Sequence, residues 1–218
     1  MRDFLEEFVP PVKPVLIIGK GPSLQRISEF DLSDYYTVGL NDVFFYVAVD
    51  LASTPHIHEL EAGHKYGEFW RAHEFLIPYY VWKGLDHWVP IQETPYRYLK
   101  MYCYNTDNPV PQVGDSQRIG HEFFSIHHVI ELFALKGVKT FKTIGIDGGW
   151  DYAEGIDPIP GIKTPREEKE WCEKNGFQPI SFDQQFRRIN ELVCKYNLDF
   201  KPLATVNERF SKGIISHK

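Results

Sequence analysis

Four apolar residues, Val15-Leu16-Ile17-Ile18, run directly into Gly19-Lys20-Gly21-Pro22-Ser23. A short unbroken apolar run bounded by turn residues predicts a strand buried on both faces in a parallel sheet. Glycines at the carboxyl end of such a strand let backbone N–H groups come close to a ligand, and the helix start that follows favours an anion. The expectation is a phosphate- or nucleotide-binding turn around Gly19, Lys20 and Gly21, with Lys20 available to neutralise a phosphate. The alternative is a tight strand-to-helix turn that binds nothing.

Composition narrows the class. The chain has 218 residues, 43% hydrophobic and 25% charged, which is ordinary for a globular α/β domain. No apolar run approaches the ~20 residues that span a bilayer, so no transmembrane segment is expected. The acidic N-terminus lacks an apolar signal core. Three cysteines, Cys103, Cys172 and Cys194, show no paired spacing, which argues against a disulfide framework or a zinc site and for the cytoplasm. A net charge of −6 disfavours nucleic acid as a partner. His56-Ile57-His58 lacks a third ligand at a recognisable spacing, so no metal site is expected.

Along the chain, Pro10, Pro11 and Pro14 predict an extended lead-in over residues 1–14. Tyr36–Leu40 reads as a second strand ending at Asn41-Asp42. Beside the first strand, Asn41 would flank the glycine turn, either donating to a phosphate or sugar oxygen or holding its own turn. A third strand is expected to end at Asp50, and another to occupy 74–82. Residues 83–120, rich in Pro, Tyr, Asn and Gly, read as an irregular, lid-like insertion. Apolar residues at helical spacing over 123–134, stopped by Gly137, predict a helix. A strand over 138–147 follows, ending in Gly145-Ile146-Asp147-Gly148-Gly149, so two glycine-bearing strand ends would face one crevice. Helices from Pro165 and over 182–196, a strand from Asp199 and a mobile tail over 207–218 complete the expectation.

Three segments together carry a family resemblance. Ile17-Ile18-Gly19-Lys20-Gly21-Pro22-Ser23-Leu24 resembles the nucleotide-contacting turn of bacterial sialyltransferases. Gly39-Leu40-Asn41-Asp42 resembles their second strand end. Ser125 through Gly137, followed by Ile144-Gly145-Ile146-Asp147, resembles their Ser-containing helix and Gly-Ile-Asp strand. Related bacterial glycan-synthesis proteins and the 6-hydroxymethylpterin diphosphokinase-like family share these elements. The resemblance implies one Rossmann-like α/β domain over 1–218, a mostly parallel sheet with helices on both faces. It places Gly19, Lys20, Gly21, Ser23 and Asn41 on the nucleotide side, with Ser125, Asp147 and Gly148 facing them. Tyr152 matches one of the family's phosphate-binding tyrosines. The donor implied is a nucleotide sugar, CMP-linked, used without a metal, and the acceptor a bacterial surface glycan.

The family's catalytic His, which lies beyond the Gly-Ile-Asp strand, has no counterpart here; Ser181-Phe182-Asp183 occupies that region. Glycosyl transfer needs a base for the acceptor hydroxyl. The candidates are His121, His127, His128, Asp147 and Asp183. Two other activities remain open: an ATP- and magnesium-dependent phosphotransferase drawing on Asp50, Asp147 and Asp151, and a nucleotide-binding module without catalysis.

Overall fold

The structure is a computed structural model, and the residues it describes are 2–83, 87–107, 117–120, 124–157, 159 and 163–206. The His121 candidate and the predicted tail over 207–218 lie outside them. The chain begins with a short strand β1 (Arg2–Asp3) and one helical turn α1 (Phe4–Glu7). Strands β2 (Val15–Ile18), β3 (Tyr36–Leu40), β4 (Val49–Ser53) and β5 (Ala72–Pro78) follow, with α2 (Ile57–Tyr66) before β5. Next come β6 (Tyr80–Trp82), β7 (Trp88–Pro90), β8 (Met101–Thr106) and β9 (Arg118–Ile119). Helix α3 (Ser125–Leu135), β10 (Thr140–Ile144), α4 (Pro165–Lys174), α5 (Gln185–Tyr196) and β11 (Asp199–Pro202) complete the order.

Eight strands form the central sheet in the order β1-β8-β5-β4-β3-β2-β10-β11, with every neighbouring pair parallel. Alternation along β2 divides the core. Val15 and Ile17 pack with α1, α3 and α5 on one face, whereas Leu16 and Ile18 pack with Phe44 and Leu60 on the other. This is a Rossmann-like α/β arrangement with helices on both faces, as the resemblance implies, and β2 is the buried parallel strand that the apolar run predicts.

The order also sets the position of the cleft. From β2 the chain steps outward through β3, β4, β5 and β8, and then returns to place β10 on the opposite side of β2. The carboxyl ends of β2 and β10 therefore flank the topological switch point, where open α/β sheets leave a crevice.

Three regions differ from the sequence reading. The lead-in is not wholly extended: β1 pairs with β8, and Phe4 and Phe8 are buried against Tyr102 and Phe133. Asp3 caps α1 by accepting from the Leu5 and Glu6 amides. The 83–120 stretch contains β8, a buried sheet strand whose mixed polar and aromatic composition conceals it, while β6 and β7 form a separate antiparallel pair. The segment after β2 is a 3-10 helix, Pro22–Glu29, rather than an α-helix.

Candidate functional site

The residues singled out around both glycine turns converge. Gly19, Lys20, Gly21, Asn41, Ser125, Asp147, Gly148 and Tyr152 line one cleft of about 570 Å³, measured to its open mouth. No described residue from 83–120 lines it.

The glycines serve first to bring the two turns together. The Gly19 amide donates to the Ile144 carbonyl at 2.9 Å and the Gly21 amide to the Gly145 carbonyl at 2.8 Å. A Cβ on Gly19 would lie 2.5 Å from the Gly145 carbonyl oxygen, and one on Gly21 would lie 2.7 Å from Asp147 Oδ2. Gly145 itself has φ +70°. The amides expected to cradle an anion at Gly19 and Gly21 are thus committed to β10. Ser23, also expected to face a nucleotide, is fully buried: its Oγ accepts from the Gly145 amide.

Asp147 is the knot of this arrangement. Its Oδ2 accepts from the Ser23 amide at 2.8 Å, and its Oδ1 accepts from Thr205 Oγ1 and the Val206 amide, each at 3.0 Å. With both oxygens engaged and the residue 4% exposed, it organises the cleft and is poorly placed to take a proton. His127 is buried, and its Nε2–H donates to the Gln185 carbonyl at 3.0 Å. His128 is buried beside the Tyr104 ring. Neither lines the cleft: α3 is buried along nearly its whole length, His128 packs in the interior, and His127 faces a neighbouring depression instead. Asp183 is exposed outside the cleft lining and bonded to Ser181 at the start of a short 3-10 turn.

The groups that do face the cleft are polar and partly pre-positioned. Asn41 adopts φ 56°, and Ser125 Oγ donates to its Oδ1 at 2.8 Å. The Asn41 amide nitrogen is left to donate elsewhere. Lys20 Nζ lies 2.5 Å from Asp42 Oδ1 and 4.3 Å from the centre of the Tyr152 ring. Burial opposes the charge on Lys20, but the Asp42 carboxylate outweighs it and holds the ammonium above the ordinary lysine value. Burial pushes the Tyr152 hydroxyl up despite Lys20, so it remains a phenol that can donate.

Behind this wall lies a set of buried titratable groups that sequence reasoning did not assemble. Glu59 is held well above the usual carboxylate range by burial and then by Asp42, and it shares a hydrogen bond with Thr54 Oγ1. His56 stacks on His58, and burial lowers it to about 3. The cleft mouth also carries Asp151, exposed and paired with Arg166 at 2.6 Å. Phe124, Phe182 and Gln185 complete the side away from β3. Their places depend on how α3 and α5 cross the sheet end, which helical periodicity does not encode. Asp50, expected at a strand end facing a ligand, lies near the start of β4, where it accepts from the Thr37 amide and hydroxyl. That end of the sheet is opposite the cleft.

Compared with protein-family models, curated proteins and solved structures, the chain gives no match. Among the described residues, no helix is long and apolar enough to cross a membrane.

Proposed function

We propose that this protein is a nucleotide-sugar-dependent glycosyltransferase of the sialyltransferase-like type, using a CMP-linked donor and a bacterial surface glycan as acceptor. The observation that carries the reading is convergence. The glycine turn after β2, Asn41 after β3, Ser125 on α3 and the Gly145–Gly148 turn after β10 meet in one cleft at the switch point.

In this reading the donor phosphate lies against Lys20, the Asn41 amide and the Tyr152 hydroxyl, which stabilise the charge that develops as it leaves. The acceptor oxygen attacks the anomeric carbon, the bond from that carbon to the phosphate oxygen breaks, and the electron pair departs with the nucleotide. The acceptor proton goes to Asp151 Oδ2, because Arg166 engages only Oδ1 of that carboxylate. Arg166 orients that carboxylate. The phosphotransferase reading is weaker, because Asp50 lies at the far end of the sheet and Asp147 has both oxygens engaged. A nucleotide-binding module without catalysis is favoured by one observation: His127 and His128 are packed away from the cleft.

Thermal unfolding of the full chain with CMP, UDP, GDP and ATP with magnesium tests the reading. CMP is expected to raise the midpoint without metal, and Lys20→Ala to abolish the rise. Asp151→Asn is expected to keep the CMP response and lose release of CMP from CMP-sialic acid in the presence of acceptor glycans. Stabilisation by ATP with magnesium alone would favour the phosphotransferase. A CMP response with no turnover in the wild type would favour the module.

A further inference from the structure

Beside the cleft lies a second and larger depression of about 1080 Å³, again measured to its open mouth. Phe124, His127, Ile180, Gln184, Arg187 and Glu191 line it, together with Arg188. Two features connect it to the nucleotide cleft. Phe124 is a wall of both. Helix α5 and the turn leading into it serve both spaces, with Gln185 toward the cleft and Gln184, Arg187 and Arg188 toward the depression. A molecule in the depression therefore ends one side chain away from the cleft.

The two arginines are not equivalent. Arg188 is occupied, at 3.2 Å from Glu191 and 3.9 Å from the buried Glu131. Arg187 is exposed and makes no ion pair among the described residues. An arginine fork left unpaired on a groove wall matches a carboxylate or phosphate, which it can grip through two parallel hydrogen bonds. The other walls suit a sugar ring: Phe124 and the 45%-exposed Ile180 offer apolar surface, and Gln184 offers both a donor and an acceptor. In a chain with a net charge of −6, Arg187 leaves one uncompensated positive charge on the groove wall against the cleft.

We infer that this depression is the acceptor subsite and that it selects an anionic sugar, with Arg187 gripping the sugar's carboxylate or phosphate and Phe124 directing its hydroxyl toward the cleft. This rests on the glycosyltransferase reading for the word acceptor, but not for the binding itself.

The test uses ligand-observed saturation-transfer NMR on the full chain with four probes: a glucuronic-acid-terminated disaccharide, its methyl ester, a hexose 6-phosphate and CMP. The acidic disaccharide or the hexose phosphate is expected to bind, and which of the two binds identifies the anion. The ester is expected to bind at least tenfold more weakly, as is the acid to Arg187→Gln. A circular-dichroism melt verifies that this exposed substitution leaves the fold intact, and Gln184→Ala provides a second variant on the same wall. Equal binding of acid and ester, an unaffected Arg187→Gln, or no binding of either anion would overturn the inference. Anion binding without CMP binding would leave the subsite standing and remove the nucleotide-sugar reading. CMP binding without anion binding would do the reverse.

Discussion

Single residues at this site act through steric room and fixed charge. Gly145 has a positive φ and faces the Gly19 backbone so closely that a side chain there has no space. Gly145→Ala is expected to lose at least about 3 kcal/mol, combining left-handed strain with the collision, as read by urea unfolding. Asn41 is the instructive contrast. Its left-handed backbone would accept glycine, so Asn41→Gly is expected to keep the fold, while removing both the acceptor for Ser125 and the amide that faces the cleft. A lost CMP response at an unchanged melting midpoint would confirm that Asn41 serves a ligand, whereas a lowered midpoint with CMP binding intact would assign it to the turn.

At the scale of elements, Asp147 gathers three separate pieces of chain at one carboxylate. It ties the turn after β10 to the start of the Pro22–Glu29 helix and to residues 205 and 206 beyond β11. Asp147→Asn keeps the size but places an amide N–H against donors. Hydrogen bonds to a charged acceptor contribute about 1.5–3 kcal/mol each, so a loss of about 2–4 kcal/mol is expected in urea unfolding. A general base would instead lose turnover with stability unchanged. Much of this level was visible in the amino-acid order. The run Val15–Ile18 and the segment Tyr36–Leu40 are strands with those bounds, because apolar runs between turn residues report burial directly. The strand β8 and the N-terminal β1 and α1 were not visible. Their burial comes from partners far along the chain, with Arg2 paired to Tyr102 and Phe4 packed on Phe133, and neither segment carries a regular apolar period.

For the molecule as a whole, the groups buried behind the cleft set the pH dependence of stability. His56 is lowered from 6.5 to about 3. Between those values the unfolded chain takes up a proton that the folded chain refuses, so stability falls as pH falls, by up to about 1.4 kcal/mol per pH unit from this group. His56→Gln is expected to flatten that part of the profile. Glu59 acts in the opposite direction. Its folded value is raised, so the folded chain keeps a proton that the unfolded chain releases, and stability falls as pH rises from the ordinary carboxylate value. Glu59→Gln is expected to gain on the wild type in urea midpoints as the pH rises above the ordinary carboxylate value. A difference that does not change with pH would show that the Glu59 carboxyl is not raised in the folded state.

By itself, the sequence determined the α/β class, the parallel strands and the position of the two glycine turns. These follow from local burial pattern and from backbone freedom, and both are written into neighbouring residues. Only the tertiary structure decided what the side chains do. It turned the Gly19 and Gly21 amides toward β10, buried His127 and His128 away from the cleft, paired Lys20 with Asp42, and set an unpaired Arg187 beside the cleft. The reason is distance along the chain. The partners of Asp147 are 124, 58 and 59 residues away from it, and no local pattern records which donor will arrive from there.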